Sequence, residues 1–276
     1  MPISLLIAAA LGATAPQPLA QPMIAAERGF AADAQRLGVR LAFLAHFDAD
    51  SWLFRPLPVA ALPALARDAD DGAPLEWAPD LAGIAASGEF GFTSGPWSAH
   101  APGTERPAHG HFLTIWKRGA DGIWRVQVDG GIGHAPIAKP EDVNVLPISD
   151  APASALSTDR LDQRRRSLEI EDDALRKALG SSPIDAWQRF ADPDLRVLRS
   201  GHLPATGAEA TGLIAHDPAQ AGSGPRRALD IAESGELGYT IGGDPSCKPC
   251  GSYFRVWRWR NDRWHVLVDL TRPGAP

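Results

Sequence analysis

SGEFGFTSG, residues 87–95, returns as SGELGYTIG at residues 234–242, with six of nine letters unchanged. Two of the replacements, Phe90 by Leu237 and Phe92 by Tyr239, keep apolar bulk. Working outward, the flanking segments align in the same order. GHFLTIWK (110–117) corresponds to GSYFRVWR (251–258), and WRVQVD (124–129) to WHVLVD (264–269). Upstream, FDADSWLFRP (47–56) resembles FADPDLRVLRSG (190–201) and sets Arg55 against Arg199. The spacing drifts only where loops are expected, and loops tolerate insertions. The chain therefore holds two versions of one domain.

Each version begins with helix and ends with strands. Phe30, Ala34, Leu37, Leu41 and Leu44 recur at helical spacing and predict one apolar helix face. Leu161, Leu168, Leu175 and Leu179 do the same in the second version, where Gly180 ends the helix. Ser182-Pro183 starts another as N-cap and first-turn proline, with Asp185 in capping-box position. FLTIWKR, the turn GADG and IWRVQVD read as a hairpin, as do YFRVWRWR, a turn at Asn261-Asp262, and RWHVLVD. Gly91 and Gly238, inside the strands that precede these hairpins, predict a bend or bulge. Residues 135–157, rich in Pro and Ala, read as a linker between a first domain at 23–134 and a second at 158–272. The fold class expected is α+β, with helices packed on a strongly curved sheet.

The 276 residues suffice for two cores. A net charge of −6 argues against a nucleic-acid partner. Ile3 to Ala15 is an apolar run of signal-peptide length, so residues 1–20 read as a signal peptide and the mature chain as periplasmic or secreted. Ala13-Thr14-Ala15 and Leu19-Ala20-Gln21 are the competing cleavage sites. No other stretch is long and apolar enough for a membrane span. The two cysteines stand as Cys247-Lys-Pro-Cys250 between strand-like runs. In an oxidising compartment this reads as a local disulfide tightening a hairpin loop, against redox and metal alternatives. Phosphate-loop and nucleophile-elbow motifs are missing, and no cofactor is expected.

These motifs resemble the nuclear transport factor two-like superfamily, and more narrowly its SnoaL-like, domain-of-unknown-function branch, over both halves of the chain. The resemblance implies two tandem cone-shaped domains, each with N-terminal helices on a curved mixed or antiparallel sheet and a pocket between them. It also implies pairing through the convex sheet faces, hence an intramolecular pseudo-dimer with Leu113, Ile115, Phe254 and Val256 facing outward. Ketosteroid isomerases of this superfamily carry a general-base Asp where this chain has Arg55 and Arg199. They carry a second Asp where it has Gly110 and Gly251, and a first-helix Tyr that it lacks. Arginine does not accept a proton at neutral pH, so isomerase chemistry of that type is not expected.

Other candidates remain. Arg55 and Arg199 either bind a carboxylate or other anionic ligand at the mouth of each cone or pair with a structural acid such as Glu89 or Glu236. Thr114 and Arg255 occupy matching positions and, by the same alignment, face the cone interiors with Trp116, Tyr253 and Trp257. His109 and His111 share one strand face and read as pocket or surface histidines, or with His46 or His134 as ligands; no metal is assigned. Asp129 and Asp269 end the last strand of each copy, as general bases if buried beside a ligand, or otherwise as acids that cap a turn or pair with an arginine. The leading expectation is an exported small-molecule-binding or scaffolding protein. The alternative is a non-covalent lyase, isomerase or hydrolase using Asp129, His109, His111 and Arg55. A third reading keeps function in the first unit and makes the second a structural partner.

Overall fold

A computed structural model of the chain describes residues 16–67, 73–100, 103–149, 155–247 and 249–272. Of the segment read as a signal peptide, residues 1–15 lie outside the described residues. Residues 16–20 open α1 (Pro16–Leu37), and Ala20 is fully buried. The apolar stripe expected to run on as one helix is broken. Gly38 adopts φ 87°, which glycine reaches without steric cost, and a separate α2 (Val39–His46) follows. The new helix direction leaves Leu41 52% exposed while Phe30 and Ala34 stay in the core.

The first unit continues with β1 (Phe47–Phe54), β2 (Pro58–Ala60), α3 (Ala61–Arg67), β3 (Leu75–Trp77) and β4 (Leu81–Ile84). Then come β5 (Phe90–Ala99), β6 (Ala108–Arg118), β7 (Trp124–Gly133) and β8 (Asn144–Leu146). Its sheet runs β2-β1-β7-β6-β5-β4-β8, with β3 also pairing β5. The second unit repeats the plan with α4 (Thr158–Leu179), α5 (Pro183–Phe190), β9 (Ala191–Leu198), β10 (Ala205–Thr206) and α6 (Gly207–Ala215). The strands β11 (Arg226–Ile231), β12 (Leu237–Gly243), β13 (Ser252–Arg260) and β14 (Arg263–Arg272) complete the order β10-β9-β14-β13-β12-β11. In each sheet the first long strand pairs in parallel with the last, and the hairpin strands are antiparallel. Each unit is thus α+β, with helices on one face of a curved mixed sheet. Ser182 and Pro183 do start α5, but Ser182 makes no side-chain capping bond.

The curvature arises elsewhere than the glycines suggest. Strands β4 and β5 stay in register through Gly91. Register shifts fall in both hairpins, between Ile115 and Trp116 and between Val256 and Trp257, in the parallel pairings β1–β7 and β9–β14, and near Arg226 in β11. A bulge at the same place in both copies bends both sheets. Gly91 instead permits close packing: a Cβ there would stand 2.5 Å from Met23 Sδ of α1. At Gly238 it would stand 3.0 Å from Leu168 Cδ2 of α4. The two-residue turn Asn261-Asp262 has φ 51° and 57°, the left-handed pair that matches the strand twist of a tight hairpin.

The segment read as a linker is partly sheet. Asn144, Val145 and Leu146 form β8, parallel to β4, and Ile148 is buried. Apolar residues at 143, 145 and 148 had an unfilled sheet edge to cover, which outweighed the Pro-rich composition. Cys247 and Cys250 are disulfide-bonded between β12 and β13. A single buried cluster draws on both sheets: Phe92, Leu113, Ile115 and Val128 with Tyr239, Phe254, Val256 and Leu270. The Phe90 and Tyr239 rings stack at 6.3 Å. Lys117 Nζ meets Asp230 Oδ2 at 2.6 Å across the same junction.

Candidate functional site

The repeated SGE lies in the turn before β5 and before β12, and the two turns touch. Ser87 Oγ and Ser234 Oγ are 2.7 Å apart. Glu236 Oε1 accepts the Ala86 N–H at 2.6 Å, and Glu89 Oε1 accepts the Glu233 N–H at 2.7 Å. The reading that paired Arg55 or Arg199 with these glutamates is therefore overturned. Each glutamate satisfies the backbone of the opposite turn, and both are nearly buried.

A cavity of about 220 Å³ opens in the first unit between α1, α2 and the concave sheet. Phe30, Phe43, Trp77, Trp97 and Phe112 supply its aromatic walls, and Arg55 and Asp129 its polar groups. Arg55 is exposed at the end of β1. Asp129, on β7, accepts a 2.8 Å hydrogen bond from Thr114 Oγ1 on β6. Burial pushes its carboxyl up to about 7, and the nearby Glu27 charge adds to this, while Thr114 and Arg55 oppose it.

Behind the wall, Glu27 of α1 is fully buried, and among the described residues no arginine pairs with it. It accepts hydrogen bonds from Trp77 Nε1 at 2.6 Å, Thr93 Oγ1 at 2.5 Å and Trp116 Nε1 at 2.8 Å. Burial raises its pKa against those three bonds. Trp116 and Thr114, expected to line the pocket, instead hold Glu27 and Asp129 from behind. Glu27 escaped the sequence reading because it is one acid in an amphipathic helix. A signal was present: it falls on the Met23–Phe30 face, where a charge needs buried partners.

The second cone is filled. Arg255, fully buried, stands where the first unit has Thr114, and its Nε donates to Asp269 Oδ1 at 2.9 Å. Burial opposes the charge on Asp269, but Arg199 and Arg255 outweigh it and hold the pKa low. Tyr253 Oη donates to Asp172 Oδ2 at 3.0 Å, and Trp257 Nε1 to Thr240 Oγ1 at 2.8 Å. Arg199 is also engaged, with Nη2 2.7 Å from Asp217 Oδ2 and 2.8 Å from Asp269 Oδ2. It lines a wide surface cleft beside α6, but two carboxylates already neutralise it. Arg199, Tyr253, Arg255 and Trp257 therefore do not form a ligand pocket. A buried arginine must carry its counter-ions with it, and these side chains are that network.

The histidines lie on the far face. His111 shares the outward face of β6 with Leu113 and Ile115, toward the second unit. Its Nε2 is 2.9 Å from Asp80 Oδ2 and its Nδ1 2.7 Å from His134 Nε2. Arg196 of the second unit pairs with the same Asp80 at 3.2 Å. Burial lowers the His111 pKa against the pull of Asp80. His109 lines a separate small pocket with His134 and Lys139. Neither histidine joins Asp129 and Arg55, because strand alternation places them across the sheet. Among the described residues no group of three or more potential ligands could hold a metal ion.

No family model matches the chain, and no curated protein matches it. Solved structures do. A "NTF-2 like protein of unknown function" from Shewanella oneidensis is 14% identical, with 40% of this chain covering 96% of that one at a TM-score of 0.34. A "ketosteroid isomerase-like protein" from Erwinia carotovora is 15% identical, with coverages of 41% and 93% and a TM-score of 0.35. A nuclear transport factor 2 (NTF2-like) superfamily protein from Salmonella enterica is 12% identical, with coverages of 46% and 99% and a TM-score of 0.36. These are likenesses of fold. None of the described helices is long and apolar enough to cross a membrane.

Proposed function

We propose that the chain is a small-molecule-binding protein whose ligand site is the cone cavity of the first unit, with the second unit as its structural partner in a pseudo-dimer. The contrast at one repeat position carries this reading. Thr114 leaves the first cone open over Asp129, whereas Arg255 fills the second and ties up Asp269. The aromatic walls suit a small, planar apolar body, and a few convergent polar groups at one end are what ligand pockets use for orientation. Isothermal titration calorimetry with the neutral probe 2-naphthamide tests it. Saturable binding at one site is expected, lost in Phe112→Trp, which fills the cavity. No saturable binding, or binding unchanged in that variant, contradicts the reading.

A second reading rests on Asp129. A carboxyl that titrates near neutrality inside a cavity is suited to proton transfer in either direction. On that reading the first unit carries out a non-covalent lyase, isomerase or hydrolase reaction without His109 or His111. Export to the periplasm or medium belongs to the same proposal and rests on the apolar run at residues 3–15. The two cleavage sites stay in competition: a cut after Ala15 leaves Pro16 first, and a cut after Ala20 removes the buried Ala20.

A further inference from the structure

The second unit reaches into the first unit's cavity. Arg272, at the end of β14, lies on the cavity wall although it belongs to the other sheet. Its Nη2 donates to the carbonyl oxygen of Gly131, and its Nη1 to that of Phe54 at 3.4 Å. The guanidinium carbon stands 5.6 Å from the centre of the Phe54 ring. Its Nε is buried with no hydrogen-bond partner. Burial depresses the Arg272 pKa, and among the described residues no acid raises it.

Arg272 is half-buried, whereas Arg199, Arg255 and Arg258 of the same unit are buried, and each of those three faces carboxylates. Leaving a largely dehydrated guanidinium to two carbonyls and a ring is costly unless an anion completes its shell. The repeat supplies no equivalent in the other direction. The residue matching Arg272 is Ile132, which is buried. Among the described residues, the first cone receives an arginine from its neighbour and the second does not.

We propose that the first unit's cavity takes a small aromatic carboxylate, its ring between Trp77, Trp97 and Phe112 and its carboxylate on Arg272. The volume is below the roughly 300–1,000 Å³ of drug-sized sites, which suits one or two fused rings. Asp129 does not repel such an anion below about pH 7, where it holds its proton. The inference rests on the cavity being the ligand site.

Calorimetry at pH 6 with 2-naphthoate and 2-naphthamide as paired probes separates the two claims. The two probes share a ring system and differ in charge. The wild-type chain is expected to bind the acid about 10-fold more tightly than the amide. Arg272→Gln brings that ratio close to one, and Arg272→Lys keeps part of it. If the amide binds but the acid has no advantage, or the advantage survives in Arg272→Gln, the aromatic-carboxylate proposal is overturned while the site stands. If neither probe binds the wild-type chain, the ligand-site reading fails and this proposal falls with it.

Discussion

Thr114 and Arg255 differ at one repeat position, and that difference decides which cone is open. A threonine offers one short hydrogen bond and leaves space; an arginine fills it and brings a charge. Asp129 consequently sits half-buried on the cavity wall with a hydroxyl for a partner, while Asp269 is fully buried between two guanidiniums. The sign of the pH dependence follows. The folded-state pKa of Asp129 is raised from 3.8 to about 7, so between those values only the unfolded chain ionises there. Its contribution is therefore most favourable below about pH 4 and is lost as pH rises through 7, at a cost on the order of 4 kcal/mol. Asp129→Asn, neutral at every pH, is expected to raise the urea midpoint relative to wild type by much more at pH 8.5 than at pH 4. An equal shift at both pH values would show that Asp129 titrates normally.

The turn that opens β5 and the one that opens β12 repeat because they meet. Ser87 meets Ser234, and Glu89 and Glu236 each accept a backbone N–H of the opposite turn, a reciprocity that a doubled sequence supplies. Glu236→Ala removes a carboxylate acceptor and strands the Ala86 N–H, a loss of about 1.5–3 kcal/mol for a hydrogen bond to a charged group. Glu89→Ala is expected to cost a similar amount, measured by urea unfolding. If both substitutions fall within about 0.5 kcal/mol of wild type, the turns contribute nothing to joining the units. Much of the element plan was legible in the sequence, because alternating strands and paired hairpins leave local signals in FLTIWKR and YFRVWRWR. The break at Gly38 was not, since Leu41 and Leu44 continue a helical period and the backbone conformation at one glycine decides the direction. Strand β8 was hidden because three residues pair only when β4 is already in place. At the site, Arg55 and Asp129 could be read from matched positions. Glu27 and Arg272 could not, for their roles depend on partners distant in sequence or in the other unit.

Across the whole molecule the two sheets bury one continuous apolar layer, so neither unit would keep its outward face covered alone. Each fully buried Leu, Ile, Val or Phe in that layer contributes about 1.5–3 kcal/mol relative to exposure. The same junction carries β14 past the Phe54–Leu57 corner of the first unit, where Ser252 Oγ donates to the Pro56 carbonyl oxygen at 2.6 Å. Arg272 follows at the strand end. Docking of the units and completion of the cavity are thus one event: the filled copy stabilises the open one and lends it a cation. The most direct measurement is a crystal structure of the chain grown with saturating 2-naphthoate at pH 6. The account predicts the ligand in the first cone, its carboxylate within hydrogen-bonding distance of Arg272, and the second cone still filled by Arg255. A first cone left empty at saturation, or ligand bound only elsewhere, would contradict it.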